Sequence, residues 1–405
     1  MKVVFQKIVL VVLLFSAQIS LAEKGDTDLS ATSKEKDMVD VFKKIGHSSD
    51  SLSLSNKDEN KPHFAFAPAL GYTLQTGFAG LLSANLVFAL RNANPSEILG
   101  NIAYTQYNQV IFPVHAEIWT KRNQFKFVSD NRFMKYPSET FGLGNPKRFT
   151  EEQNGYYIDF SYLKFHESVL AKVTNNVYAG IGYFVDYFWN EREIDPPISE
   201  LTSFEKYYNG AIKNSEVASG FNFQALYDNR DNPVNSRKGF FASVNYRNNL
   251  EWLGSDEHWQ SAIIELKKYI TFPAKSKNVI ALWNYNWFTT GGRTPYLLLP
   301  STGWDDFFNT GRGYIQGRFR GKNMGYFEAE YRFRILHNGL IGGVVFGNAQ
   351  TFSKDISQQY HNTEYGYGLG LRLKLNKHSD TNLCVDYGWG QNGSQGFFVN
   401  LGEVF

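Results

Sequence analysis

Glu328, Glu330, Arg332 and Arg334 alternate along one short run, and Arg312-Gly313-Tyr314 stands a few residues ahead of them. A guanidinium can hold a carboxylate through its planar fork of donors, and no convergent acid/base cluster stands out in the sequence. A second cluster, Asp228-Asn229-Arg230-Asp231, brings carboxylate and amide oxygens together as a divalent-cation loop does, although an Asx-rich turn ahead of Pro233 is the commoner use of such residues. The histidines, among them His115, His166 and His258, show no metal-ligand spacing and no Ser/Asp partner pattern. Cys384 is the only cysteine, which excludes an intramolecular disulfide and any multi-cysteine metal site. The expectation is therefore a chain that is not an enzyme and that carries neither cofactor nor metal. With 41 basic and 39 acidic residues the net charge is +2, so the footprint of a nucleic-acid binder is missing as well.

The elements that would position these residues alternate with period two. Tyr365, Tyr367, Leu369, Leu371, Leu373 and Leu375 interleave with Glu364, Gly366, Gly368, Gly370, Arg372 and Lys374. Phe327, Ala329, Tyr331, Phe333 and Ile335 oppose Tyr326, Glu328, Glu330, Arg332 and Arg334 in the same way. A third apolar row runs Val177, Ala179, Ile181, Tyr183, Val185, Tyr187, Trp189, and a fourth runs Leu383, Val385, Tyr387, Trp389. Such rows are strands with two unlike faces. Aromatic residues make up 16% of the chain while its mean hydropathy is negative, the composition of a barrel whose lipid-facing and lumen-facing side chains alternate. A soluble β-sandwich would share the alternation, with the charged row of 328–334 on its solvent face; a barrel would give that row the water of its lumen.

The fold class expected is all-β, a transmembrane antiparallel β-barrel over residues 63–405. Strands of roughly 9–11 residues span a bilayer, and sixteen of them fit the length, as do fourteen. Lys2 and Lys7, the apolar run Ile8 to Phe15 and Ser20-Leu21-Ala22 read as a secretory signal peptide over 1–22. Residues 23–62 read as a periplasmic linker, short and disordered or partly helical, in which Met38, Val41, Phe42 and Ile45 have helical spacing. Phe397, Val399, Leu401 and Phe405 share one face of a strand that runs to the last residue, the terminal-strand signal of such barrels. The place is the cell outer membrane of a Gram-negative bacterium, with outer-membrane lipid as one partner.

Several segments together resemble the BamA and TamA family, the outer-membrane insertase superfamily whose barrel is the bacterial surface antigen domain. They are GRGYIQGRFRGKNMGYFEAEYRFRI (311–335), YDNRDNPVNSRKGFF (227–241), NLCVDYGWG (382–390), GFFVNLGEVF (396–405) and APALGYTLQTGFAG (67–80). The resemblance covers the barrel, and its weight lies in the order of the segments, since an isolated Arg-Gly-Tyr is common. It implies that Arg312, Gly313 and Tyr314 form the motif of a loop folded into the lumen, with Glu328, Glu330 and Arg332 as lumenal partners. Family members often pair the loop arginine with an Asp on the strand after the motif strand. Here that run offers Asn348 at best, which leaves Glu328 or Glu330 for Arg312. Family members also carry periplasmic POTRA domains, and residues 23–62 are too few for one.

The implied function is help in inserting or assembling proteins, or lipids, through a lateral seam between the strand near Phe66–Thr73 and the strand 396–405. Gly396 and Gly402 would weaken pairing there. Client outer-membrane proteins and periplasmic accessory proteins are the implied partners, and nucleic acid is not one. The alternative is a passive, porin-like or structural barrel anchoring a periplasmic partner.

Overall fold

The computed structural model describes residues 35–38, 40, 62–144, 154–196, 201–210, 213–354, 358–377 and 380–405. The expected signal peptide, and Val41, Phe42 and Ile45, lie outside these residues. The strands are β1 His63–Thr73, β2 Gly77–Ala89, β3 Pro95–Thr105, β4 Val110–Trp119, β5 Phe125–Lys135, β6 Ser138–Thr140, β7 Tyr156–Thr174, β8 Val177–Ile194 and β9 Ser215–Asp228. They continue as β10 Gly239–Asn249, β11 Trp259–Thr271, β12 Val279–Gly291, β13 Asn323–Arg334, β14 Ile341–Ser353, β15 Tyr360–Asn376, β16 Thr381–Trp389 and β17 Gln395–Leu401.

Each strand pairs antiparallel with the next in sequence, the arrangement that hairpin connections make easiest. Segment β6 continues β5 along β7 after the break at Tyr136-Pro137, where proline has no N–H to give, so the wall counts sixteen strands. Between β1 and β17 the sheet stops: the two edges lie side by side, and no ladder joins them among the described residues. The fold is thus an antiparallel barrel, closed except for one seam. No helix among the described residues is long and apolar enough to cross a membrane.

The outward rows follow the sequence pattern. Tyr365, Tyr367, Leu369 and Leu371 are all more than half exposed, and Ile181, Phe223 and Phe327 stand out from neighbouring strands in the same way. Leu375 breaks the row. The register slips between Lys374 and Asn376, and a bulge turns the next side chain over, so Leu375 is buried. The inward rows differ more from expectation. Glu328, Glu330 and Arg332 face the lumen but do not stand in water; they are at most 6% exposed, covered by the loop 292–322 and paired with other charges.

One rim carries mostly short turns, 90–94, 120–124, 175–176, 229–238, 272–278, 335–340 and 377–380; the opposite rim carries the long connections, including 195–214 and 292–322. In barrels of this kind the short-turn rim is periplasmic. Residues 35–38 and 40, within the expected linker, lie against that rim. Arg334 Nη2 donates to Glu35 at 2.5 Å, Lys377 N to Asp37 Oδ2 at 3.0 Å and Lys377 Nζ to Asp40 Oδ2 at 2.7 Å. Met38 and Asp40 are helical.

Candidate functional site: a loop locked into the lumen

Loop 292–322 enters the barrel from the long-loop rim. Its base is held by helix α1, Ser203–Tyr207, which a capping box starts: Thr202 Oγ1 accepts from Glu205 N, and Thr202 N donates to the Glu205 carboxylate. From the end of α1, Tyr207 Oη donates to the Thr294 carbonyl at 2.6 Å, and Tyr208 Oη accepts from Tyr296 N at 2.9 Å. Phe204, Tyr207, Tyr208, Tyr296 and Leu297 pack there as one buried aromatic cluster with residues of β7 and β8. Near its tip Asp305 ties a tight turn, accepting from the backbone of Asn309 and Thr310 and from the Thr310 hydroxyl. Burial pushes the Asp305 carboxyl above its ordinary range in spite of those bonds.

The Arg312-Gly313-Tyr314 tripeptide is held through both side chains and through the carbonyls of Arg312 and Gly313. The Arg312 guanidinium is 1% exposed and donates to Glu328, Glu330 and Asp386. Its Cζ lies 3.7 Å from the Phe346 ring centroid. Asn348 Nδ2 donates to the Arg312 carbonyl at 2.9 Å, and Ser394 Oγ to the Gly313 carbonyl at 2.8 Å. Tyr314 Oη donates to the Tyr365 carbonyl at 2.7 Å and accepts from Gln391 N at 2.8 Å.

The wall beneath is flat because it lacks side chains. A Cβ on Gly366 would lie 2.6 Å from the Arg312 carbonyl oxygen, and one on Gly388 would lie 2.7 Å from Gly313 N. Gly313 itself has φ of +108°, a conformation that an L side chain rarely adopts.

Around the guanidinium the charges form a closed network. Arg332 Nε donates to Glu330 at 2.6 Å, Arg372 Nε to Glu403 at 2.8 Å, and Arg372 also to Asp386. The Tyr326 hydroxyl donates a hydrogen bond to Glu328. Three guanidinium groups (Arg312, Arg332, Arg372) thus face four carboxylates (Glu328, Glu330, Asp386, Glu403), all in a dry interior where every one of them needs its partner.

The structure brings Arg312, Gly313, Tyr314, Glu328, Glu330 and Arg332 into this one place. Asp386, Arg372 and Glu403 belong to it too, and sequence reasoning did not single them out. Asp386 lies on the parity opposite the apolar row of β16, which marks it as inward, but only the tertiary fold shows that β16 faces the loop tip. Asn348, considered as a partner for the guanidinium, bonds the loop backbone instead.

Phe405 requires a correction. Phe397 and Leu401 do lie on the outer face of β17, 38% and 55% exposed, with Val399 half-buried on the same parity. The strand ends at Leu401, however, and Gly402, with φ of +87°, turns the chain into the lumen. Glu403 reaches Arg372 and Asn382, while the Phe405 ring stacks on Trp283 at 5.1 Å between centroids. Arg332 Nη2 donates to the Phe405 main-chain oxygen at 2.9 Å, and Asn309 Nδ2 of the loop donates to the Val404 carbonyl at 2.8 Å. Parity along a strand predicts an outward side chain only while the strand continues, and a left-handed glycine ends it.

The Asp228–Asp231 cluster forms no cation cage. Asp228 accepts a fork of bonds from Arg230, and Asp231 Oδ1 accepts from the backbone of Arg237 and Lys238, as an Asx-rich turn does.

Comparison with known proteins agrees with this architecture. No curated protein sequence matches the chain. The fold is similar to BamA from Haemophilus ducreyi lacking POTRA domains 1–3, with a TM-score of 0.56 at 16% identity over 85% of this chain and 69% of that one. It is also similar to CdiB from Acinetobacter baumannii, with a TM-score of 0.52 at 12% identity over 84% of this chain, and to CdiB from Escherichia coli, with 0.53 at 10% over 84%. The chain spans 60% and 62% of those two CdiB chains. The model of the Omp85 superfamily domain matches residues 127–405, so this outer-membrane-type β-barrel belongs to the Omp85 superfamily.

Proposed function

We propose that the protein helps proteins or lipids to enter or assemble in the outer membrane, through a lateral opening at the seam between β1 and β17, and that it does so without catalysing a chemical reaction. The observation that carries this reading is that no ladder joins those two strands among the described residues, in a barrel where the other neighbouring strands are paired. Unpaired backbone donors and acceptors are costly in hydrocarbon and form a ready template for another strand. A seam of this kind offers an incoming hairpin bonds that the wall elsewhere has already used. A lumen filled by loop 292–322 favours this role over steady solute conduction.

The test is a disulfide staple between a cysteine on β1 and one on β17. Reconstituted vesicles containing the unstapled protein should speed the folding of an outer-membrane barrel client, and the oxidised staple should abolish the gain. A client that folds equally fast with the staple closed would refute the seam. Large steady bilayer conductance from the intact protein would favour a porin-like role instead.

A further inference from the structure

The turn 229–238 is the longest on the short-turn rim, and it does not stay above its own hairpin. Asp228, Asp231 and Asn232 cage it from within; Asn232 Oδ1 accepts from Val234 N at 2.7 Å and from Asn235 N at 3.2 Å. So stiffened, it crosses the mouth of the barrel to the turn between β15 and β16. There Arg237 Nη2 donates to Asp380 Oδ2 at 2.8 Å and Asn235 Nδ2 to the Asp380 carbonyl at 3.2 Å. Its tip touches the point where the chain leaves the sheet after β17. Glu403 N donates to the Val234 carbonyl at 3.4 Å, and a Cβ on Gly402 would stand 3.7 Å from Val234 Cγ1.

That point of departure decides how much edge β17 offers. The strand has seven residues against eleven in β1, and its last ladder pair is Leu401 with Leu383. Gly402 N still reaches the Asn382 carbonyl at 2.8 Å, the next step of the same register, and Thr381 of β16 would come next. Residues 403–405 therefore have two mutually exclusive places, inside the lumen on Arg372, Arg332 and Trp283, or along the edge as a continuation of β17. Gly402 is the hinge, because glycine accepts either backbone conformation.

We propose that turn 229–238 is a strap which holds residues 402–405 inside the lumen and so keeps β17 in its short form at the seam. The proposal rests on the seam reading given above and names what would regulate it: release of the strap from Asp380 frees the inturned segment, and the seam edge lengthens.

The chain carries its own reporter. Cys384 is fully buried, and its thiol donates to the Gly402 carbonyl at 3.0 Å, so withdrawal of the segment uncovers it. The experiment follows labelling of Cys384 in the folded, vesicle-embedded protein with a small water-soluble thiol reagent. Arg237→Gln should label faster by about tenfold, the loss expected for one charge-assisted bond. Arg237→Lys, which keeps a cation beside Asp380 and leaves the Lys374–Asp380 pair untouched, should keep most of the protection. Arg91→Gln, a change in the exposed turn 90–94, should leave the rate alone. Heat-modifiable gel migration establishes that each variant is folded. Labelling of Arg237→Gln at the unmodified rate, or equal acceleration by Arg91→Gln, overturns the strap. Faster labelling with an unchanged yield of β1–β17 cross-link overturns the coupling of strap to seam. The seam itself stands or falls by the staple experiment, which needs no change in the strap.

Discussion

Replacing Arg312 by glutamine should cost the barrel about 3–5 kcal/mol, the usual loss when one side of a buried pair is removed. The structure shows why one carboxylate is stranded and not three. Without Arg312, Glu330 keeps Arg332 at 2.6 Å and Asp386 keeps Arg372, but Glu328 retains only the Tyr326 hydroxyl. One buried carboxylate is stranded, and two guanidinium groups then face four carboxylates. Glu328→Gln works in the opposite direction: Arg312 still has Glu330 and Asp386, and the excess of negative charge falls, so the cost should stay near 1 kcal/mol. The double variant should be more stable than Arg312→Gln alone, since it removes the stranded charge together with its partner. Arg312→Lys should fall between the unmodified and glutamine barrels, because an ammonium keeps the charge but cannot spread over three carboxylates as the planar fork does. Urea unfolding of the protein refolded in lipid vesicles, followed by heat-modifiable migration, measures all four. An Arg312→Gln barrel within about 1 kcal/mol of the unmodified one, or a Glu328→Gln barrel destabilised as much as Arg312→Gln, refutes the argument.

Other outcomes follow from the same geometry. Gly388→Val should expel the tripeptide from the wall, because even a Cβ would sit 2.7 Å from Gly313 N; faster protease cleavage within 305–318 would report it, and unchanged resistance would count against it. Phe405→Ala removes the ring packed on Trp283 and should loosen the inturned segment by about 3 kcal/mol or less, read as faster hydrogen exchange at Val404. Lys374 and Arg237 outweigh burial and hold the Asp380 carboxyl below its ordinary value of 3.8. A depressed carboxylate gives stability that is complete above its unfolded pKa and is lost as pH falls through the folded one. Strap protection of residues 402–404, referenced to intrinsic exchange rates, should therefore be flat from pH 5 to 8 and fail only in stronger acid; a midpoint near neutrality would be inconsistent with this.

The wall was legible in the sequence because every strand that faces lipid on one side must alternate, as β13 and β15 do so plainly. The locking of the loop was legible only in part. Glu328 and Glu330 were within reach because they follow Arg312 closely in the chain, whereas Asp386 lies 74 residues away and nothing local points from one to the other. The glycines at 366, 368 and 370 read as a polar face, yet Gly366 is bare so that backbone can lie against backbone. Leu375 and Phe405 went astray for one reason: a bulge and a left-handed glycine each reset parity, and neither leaves a mark in the spacing of apolar residues.

The filling of the lumen is lopsided, and this has a mechanical consequence. Among the described side chains of β2 to β4, only Ser96 and Thr105 are buried, whereas β13 to β16 each bond the loop, at Glu328, Asn348, Tyr365 and Asp386. A lateral load on this barrel would therefore not be shared evenly. Strands β2 to β4 would bend like a hinged flap, and β13 to β16 would act as the rigid frame against which the flap moves.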